Sequence, residues 1–283
     1  MQISGLDRIL GEFPAVKGAP LVIALHGGGY TATYFDVPGY SLLERSAALN
    51  VPIVALDRPG YGDSTPLPPA DASIARNADV LDEAIAKIWR DRGAGRGVFL
   101  IGHSIGGAIT IAIAARRPSW PLCGIAVSGV GLHTPRDLEI RTAALPDIPM
   151  ITRPSPMKDV VMFGPPWTYD DAMPQASHIA DAPVPRREIV DITSWWNKHV
   201  RALAASVTVP VHYRQGEFDS LWVNGPQEVA AFGAAFTAAP TVDARPFASS
   251  GHCIDFHRSS GAFQLDQLAF ALRCATDPAL YRH

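Results

Sequence analysis

The chain has 283 residues, of which 47% are hydrophobic and 18% are charged, with a formal net charge of -3 and a sequence pI near 6.3. A chain of this size and composition can bury one large core, which disfavours both a disordered protein and two independent enzymatic domains. The slightly acidic charge and the lack of a long basic run disfavour nucleic acid and anionic membranes as partners.

Strand and helix patterns alternate through the first 132 residues. Continuous apolar runs, typical of strands buried on both faces, occupy residues 21–25, 51–56, 98–101 and 122–127. Apolar residues at helical spacing predict one helix over residues 73–92 and a second from residue 105 to a stop at Pro118. One short hairpin at most fits before residue 21. This alternation predicts a mostly parallel sheet with helices on both faces.

The alternation stops over residues 133–205. This segment shows no strand pattern, carries ten of the 25 prolines of the chain and has one clear helical stripe, at residues 187–203. A connection of this length inside a compact domain usually carries function, so we interpret it as an inserted lid. The alternative is an elaborate surface excursion.

The strand and helix pattern returns after this segment. It predicts a strand over residues 209–213, a helix from Pro226 to Phe236, a polar edge strand over residues 242–247 and a last helix over residues 261–274. The core domain is therefore expected to comprise residues 1–132 and 206–283, with the lid at residues 133–205.

A glycine-flanked serine lies between the strand at residues 98–101 and the helix that follows it. Residues 102–107 read Gly-His-Ser-Ile-Gly-Gly, and this G-x-S-x-G pattern between a strand and a helix holds its serine in a strained, exposed turn. The pattern indicates that Ser104 is a nucleophile. A glycine-rich turn of this kind could as well cradle a phosphate.

A nucleophilic serine needs a base, a group that orients the base, and hydrogen-bond donors for the oxyanion. Asp219 and His252 follow two successive predicted strands, in the chain order Ser, Asp, His that a serine in such a turn requires. Glu217 is an alternative acid, although the spacing fits Asp219 better. Three glycines at residues 27–29 end the first buried strand and expose backbone amides to a ligand.

Five short motifs, in this order, resemble those of the α/β-hydrolase superfamily. They are His26-Gly27-Gly28-Gly29, Asp57-Arg58-Pro59-Gly60-Tyr61-Gly62-Asp63-Ser64, Gly102-His103-Ser104-Ile105-Gly106-Gly107, Gly216-Glu217-Phe218-Asp219 and Gly251-His252. The resemblance covers nearly all of the chain. It implies an α/β-hydrolase fold, with a mostly parallel central sheet, helices on both faces and an inserted helical lid.

The resemblance also implies a role for each site residue. Ser104 would be the nucleophile, His252 the general base and then the general acid, and Asp219 the residue that orients the imidazole. The oxyanion hole would be formed by the backbone amides of Gly28, Gly29 and Ile105.

Aromatic and methionine side chains in the lid predict a mainly apolar substrate pocket. The candidate pocket residues are Tyr30, His103, Met162, Phe163, Trp167 and Trp196. The lid carries eight Lys or Arg and nine Asp or Glu, which gives no reason to expect a strongly anionic substrate. The expected partner is therefore a small, largely apolar acyl substrate.

The expected reaction is hydrolysis of an ester, thioester or lactone through an acyl-enzyme. The alternatives are carbon–carbon bond hydrolysis or a lyase reaction with the same triad, amide hydrolysis by an amidase or aminopeptidase, and a hydrolase fold that only binds a ligand. No cofactor and no metal are expected. The loop at residues 252–257 collects metal-ligand residue types, but their spacing fits no structural zinc pattern.

The cysteines and the N-terminus favour a cytoplasmic location. Cys123, Cys253 and Cys274 are an odd number at wide spacing, which predicts reduced thiols. No basic segment followed by an apolar run begins the chain, so no signal peptide is expected, and no apolar stretch is long enough to span a bilayer. Between a monomer and a homodimer the sequence does not decide.

Overall fold

The computed structural model describes residues 1–8, 18–93 and 95–276. Strands in these residues are β1 (Gly5–Arg8), β2 (Leu21–Leu25), β3 (Ile53–Leu56), β4 (Val98–His103), β5 (Leu122–Ser128), β6 (Met150–Ile151), β7 (Val184–Pro185), β8 (Val211–Gly216) and β9 (Val242–Phe247). Within the described ranges, seven of them form one sheet in the order β1-β3-β2-β4-β5-β8-β9. Every neighbouring pair is parallel except β1 and β3. The predicted mostly parallel sheet is therefore confirmed.

Helices cover both faces of this sheet. They are α1 (Leu42–Ala48), α2 (Ile74–Arg92), α3 (Ile105–Ala115), α4 (Arg136–Ala143), α5 (Ser155–Phe163), α6 (Met173–Ser177), α7 (Arg186–Thr193), α8 (Trp195–Ser206), α9 (Pro226–Ala235) and α10 (Ser260–Thr276). One apolar cluster packs α2, α3, α8 and α9 against one face, and a second packs α1 and α10 against the other. Successive residues of β2 belong alternately to the first and the second cluster, because successive side chains of a strand point to opposite faces of the sheet.

Local sequence explains where α2 begins and ends. Helix α2 begins after Ser73, whose hydroxyl accepts a hydrogen bond from the Arg76 amide, and it ends at Gly93. β9 is an edge strand as predicted. The hairpin expected before β2 falls partly on residues 9–17, outside the described residues; β1 itself pairs with β3.

Residues 133–205 differ from the prediction. They contain α4 to α8 and a ribbon of β6 and β7, whereas the sequence predicted no strand and one helix over residues 187–203. That helix is divided into α7 and α8 at Ser194, whose φ and ψ are -124° and -61°. The other elements were missed because helices of five to nine residues, with prolines at their starts, are too short to show a repeating apolar face.

Helix α8 packs as part of the core. The Trp196 side chain is fully buried and its Nε1 donates to the Gly131 carbonyl at 2.8 Å. Val200 and Ala204 lie on the same face of α8, in the apolar cluster that contains α3. The boundary at residue 205 stays a prediction, and this packing supports placing α8 with the core. Residues 133–193 are called the cap segment below.

Candidate active site

Ser104 occupies a sharp turn between β4 and α3. Its φ and ψ are 55° and -122°, a backbone conformation that costs a residue with a side chain roughly 1–3 kcal/mol. The turn brings the backbone so close to its surroundings that a Cβ added to Gly106 would lie 2.1 Å from the Leu25 carbonyl oxygen. A Cβ on Gly102 would lie 2.3 Å from the Thr110 hydroxyl. Only glycine therefore fits at positions 102 and 106, two residues before and two residues after the serine.

Asp219 and His252 form a buried hydrogen-bonded pair. Nδ1 of His252 lies 2.7 Å from Oδ2 of Asp219, and both side chains are almost completely buried. Asp219 also accepts hydrogen bonds from Nε2 of Gln215 at 2.6 Å and from the Leu221 amide at 2.9 Å. Because Nδ1 of His252 is hydrogen-bonded to the Asp219 carboxylate, the imidazole proton lies on Nδ1. Nε2 is then free to accept a proton from a nucleophile.

Gln215 is a site residue that the sequence prediction missed. It lies in β8, four residues before Asp219, and no motif marks it. Glu217, the alternative acid, is exposed and accepts a hydrogen bond from the Ser249 amide. The carboxylate that meets the imidazole is therefore that of Asp219.

Packing around residue 103 brings the imidazole close to the serine turn. The ring centroids of His252 and His103 are 4.8 Å apart, and His103 is bonded directly to Ser104. A Cβ added to Gly129 would lie 3.0 Å from Cε1 of His252. The Ser104 hydroxyl makes no hydrogen bond with another described side chain, a common state of such a pair in a free enzyme.

A cavity of about 330 Å³ opens over Ser104. Its sheet side is lined by Gly28, Gly29, Ser104, Ile105, Leu221 and Trp222. Residues of the cap segment, from Thr134 to Thr193, line the other side. The volume lies at the small end of the range for ligand pockets in proteins, which run from about 300 to 1,000 Å³.

Three backbone amides at this cavity are available to a ligand. Within the described residues, the amides of Gly28, Gly29 and Ile105 donate to no protein acceptor. Ile105 is the first residue of α3, where helix amides have no partner within the helix. A Cβ on Gly28 would lie 2.9 Å from Cδ1 of Ile105, so the glycine loop and the start of the helix lie against each other. Such a cluster of amides can hold an oxyanion.

A buried arginine supports the glycine loop from beneath. Nε of Arg58 donates to the His26 carbonyl at 2.9 Å, and Nη2 donates to the Gly27 carbonyl at 3.2 Å. Nη1 forms an ion pair with Glu188 of α7 at 2.7 Å, in which neither side chain is exposed. Tyr61 donates to the other carboxylate oxygen of Glu188 at 2.9 Å. The loop and the cap segment therefore share one buried charged network.

The cap segment is also bonded directly to the glycine loop. The Ala182 amide donates to the Gly29 carbonyl at 3.0 Å, and the Thr31 amide donates to the Ala180 carbonyl at 2.8 Å. The Lys158 ammonium donates to the same Gly29 carbonyl at 3.1 Å. These contacts hold residues 180–182 against the loop whose amides face the cavity.

One family model matches most of the chain. Its description is the alpha/beta hydrolase family, and it matches residues 22–263, which include every residue of the site described above. The chain belongs to the alpha/beta hydrolase family. The resemblance that the five sequence motifs carry is thus confirmed.

Solved structures share this hydrolase fold at low sequence identity. An esterase from Exiguobacterium antarcticum is 16% identical with a TM-score of 0.69, over 95% of both chains. A monoacylglycerol lipase from Paleococcus ferrophilus is 16% identical with a TM-score of 0.68, over 97% of this chain and 100% of that one. An N-acyl homoserine lactonase complexed with N-butanoyl homoserine is 17% identical with a TM-score of 0.64, over 98% of both.

Among curated proteins, the chain is similar to part of a methylesterase. Protein phosphatase methylesterase 1 is 30% identical over 118 residues in Pongo abelii and 31% identical over 118 residues in Mus musculus. The aligned part covers 42% of this chain and 29% of each of those proteins. The chain thus spans less than a third of the curated relatives that it matches.

Of the six predicted pocket residues, Met162 alone is among the residues that line the cavity over Ser104. Trp196 is directed into the core instead, as described above. The Trp167 side chain is 58% exposed and packs edge-on against Phe218, with ring centroids 5.6 Å apart. The sequence pattern shows neither that Trp196 points into the core nor that Trp167 lies at the surface, because both depend on long-range packing.

The remaining three predicted pocket residues are buried beneath the site. The His103 ring stacks on Tyr34, with centroids 4.8 Å apart and 7° between the planes. Tyr30 packs against the same ring of Tyr34, and Phe163 packs against Phe256. These side chains support the turn and the loop and are not among the residues that line the cavity.

His103 gives this hydrolase a pH-dependent stability. Burial, and then the nearby imidazoles of His252 and His26, hold the pKa of His103 well below its ordinary value of 6.5. Below that pH the unfolded chain binds a proton that the folded chain does not, so the free energy of unfolding falls as the pH falls. In the variant His103→Gln, the loss between pH 6.5 and 5.5 should be smaller by about 1 kcal/mol.

Urea denaturation of wild type and variant at the two pH values measures this difference. Titrating groups that do not interact with His103 contribute equally to both proteins and cancel. Equal pH dependence in the two proteins would show that His103 is not held neutral by the fold.

The described residues offer no obvious metal site and no membrane span. No group of three or more His, Cys, Asp or Glu side chains among them could hold a metal ion. No described helix is both long enough and apolar enough to cross a bilayer. Cys123 and Cys253 are free thiols, and Cys123, Cys253 and Cys274 are all buried.

Proposed function

We propose that this protein is a serine hydrolase that cleaves a carboxylic ester, thioester or lactone through an acyl-enzyme. Ser104 is the nucleophile, His252 the general base, and Asp219 orients the imidazole. One observation carries the proposal. A serine in a strained turn lines a cavity and follows a histidine whose ring packs against a buried imidazole, and that imidazole is hydrogen-bonded to a carboxylate.

The arrangement supports each step of that reaction. Nε2 of His252 takes the Ser104 proton as Oγ attacks the carbonyl carbon, and the Asp219 carboxylate stabilises the imidazolium that forms. The amides of Gly28, Gly29 and Ile105 receive the developing oxyanion. His252 then protonates the leaving alcohol or thiol, and a water molecule activated by the same imidazole releases the acid.

Ester-type substrates are supported by the size of the cavity and by the relatives. A cavity of about 330 Å³ accommodates a small acyl group. The similar solved structures include an esterase, a lipase and a lactonase, and the partial curated relative is a methylesterase. Apolar side chains such as Val184 and Ile189 line the cap side. A small and partly apolar acyl group is therefore the substrate that we propose.

Covalent labelling tests the role of the serine. A fluorophosphonate probe reacts with serines that are activated by a neighbouring base, so the wild-type protein should gain one probe mass located on Ser104. The variant Ser104→Ala should gain none, and His252→Ala should label far more slowly. A folded wild-type protein that stays unlabelled would contradict the proposal and favour a fold that only binds its ligand.

A further inference from the structure

Three charged side chains line the cavity, namely Arg153, Lys158 and Asp181, all from the cap segment. Lys158 and Asp181 form an ion pair with each other. The Lys158 ammonium also lies 3.6 Å from the ring centroid of Tyr30 and donates to the Gly29 carbonyl. These partners occupy Lys158 fully, so it has little capacity to bind a charged ligand.

Arg153, unlike Lys158 and Asp181, has no polar partner among the described residues. It lies between β6 and α5, is partly buried, and makes no hydrogen bond or ion pair with any residue that the structure describes. Another cation, Arg141, repels its charge and is itself paired with Asp137. Burial, and then the charge of Arg141, lower the pKa of Arg153, although a guanidinium stays charged at neutral pH.

A partly buried cation without a counterion among the described residues is unfavourable. An anionic group of a ligand would remove that cost, and guanidinium is the side chain best suited to two parallel hydrogen bonds with a planar carboxylate. A doubly charged phosphate would require a second free cation, and Lys158 is already neutralised by Asp181. The site therefore matches one carboxylate better than a phosphate.

We propose that Arg153 binds a carboxylate carried by the substrate, so that the preferred substrate is an ester or lactone bearing one free acid group. This inference rests on the proposed hydrolysis at Ser104 and names the substrate class. It refines the expectation of an apolar substrate: the reacting acyl chain contacts apolar side chains such as Val184, and one end of the molecule is charged.

Matched substrates test the inference. Monomethyl esters of succinic, glutaric and adipic acid carry a free carboxylate on the acyl side, and the methyl esters of the corresponding monocarboxylic acids are neutral partners. Butyryl esters of hydroxy acids and of plain alcohols form the same comparison on the alcohol side. The measured quantity is the ratio of kcat/KM for the charged ester to kcat/KM for its neutral partner.

Arg153→Met should lower this ratio roughly 10- to 100-fold in at least one series, the size expected for hydrogen bonds to a charged group. Arg153→Lys keeps the charge but loses the paired donors, so its ratio should lie between those of wild type and Arg153→Met. Arg201→Met removes an exposed cation from α8 and should leave the ratio as in wild type. A ratio that does not respond to Arg153 in either series overturns the inference while leaving the proposed function intact.

Calorimetry with the variant Ser104→Ala separates binding from turnover. This protein should bind the charged ester about tenfold or more tightly than the neutral one, and the added substitution Arg153→Met should abolish that preference. If wild type hydrolyses no ester but Ser104→Ala keeps the preference, the proposed function fails and the anion site stands. A Ser104→Ala protein that binds the charged ester no more tightly than the neutral one overturns the anion site.

Discussion

Replacing Ser104 with alanine should lower kcat for a short-chain ester by about 10,000- to 1,000,000-fold. The substitution removes the atom that forms the acyl-enzyme and leaves only the oxyanion donors and the bound geometry, which retain modest rate enhancement. Alanine is smaller than serine and adopts the same backbone, so the turn should persist. KM for the ester should change far less than kcat.

The neighbouring Ser155 provides the control for this experiment. Its hydroxyl also lines the cavity, but it donates to Asp181 at 2.9 Å and contacts no proposed reacting group. Ser155→Ala loses one hydrogen bond to the Asp181 carboxylate, away from the proposed reacting groups, and should cost less than about tenfold in kcat/KM. Comparable losses in the two variants, or residual activity of Ser104→Ala near that of wild type, would assign the chemistry to another group.

The variant Glu188→Gln should lower the free energy of unfolding by about 3–5 kcal/mol. Glutamine can keep hydrogen bonds to Arg58 and Tyr61, but it leaves the guanidinium buried without a counterion. Neither side chain of the Arg58–Glu188 pair is exposed, so solvent cannot compensate for the lost charge. Chemical denaturation monitored by tryptophan fluorescence measures the change.

An exposed ion pair of the cap segment is the matched control. Asp137 and Arg141 of α4 are 70% and 71% exposed and lie at a spacing of four residues. Because solvent screens such pairs, Asp137→Asn should change the free energy of unfolding by only about 0.5 kcal/mol or less. A Glu188→Gln protein no less stable than Asp137→Asn would mean that the buried pair does not hold α7 against the core.

The same ion pair connects stability with the site. Arg58 donates to the carbonyls of His26 and Gly27, and the next residues supply the amides proposed for the oxyanion. The cap segment is bonded to this loop at Gly29 as well. This part of the cap is thus bonded to the loop that carries those amides, and a loss of the Glu188 charge is expected to affect both the folded state and the oxyanion donors.

Much of the fold was accessible from the sequence because its signals are local. A strand buried on both faces reads as a run of apolar residues, as β2 does, and Ser73 and Gly93 mark the ends of α2. The candidate site was accessible for the same reason. A turn as tight as that at Ser104 admits glycine alone at positions 102 and 106, so the geometry leaves a pattern in the chain.

Features that depend on long-range packing were not accessible. Arg58 and Glu188 are 130 residues apart, and nothing in either local sequence indicates that they meet. Trp196 belongs to an apolar stripe that would suit a pocket or the core equally well. Only the packing of α8 on α3 shows that its side chain lies in the core. The sequence around Arg153 does not show that its guanidinium lacks a partner among the described residues.

The most direct test of the proposed mechanism is the mass of the protein during turnover. Wild-type enzyme quenched with acid while it hydrolyses a slow ester should carry one acyl group, and peptide mapping should place it on Ser104. The adduct should be absent from Ser104→Ala. A protein that turns over the ester while no acyl group is found on it, or one acylated at a different residue, would contradict the account.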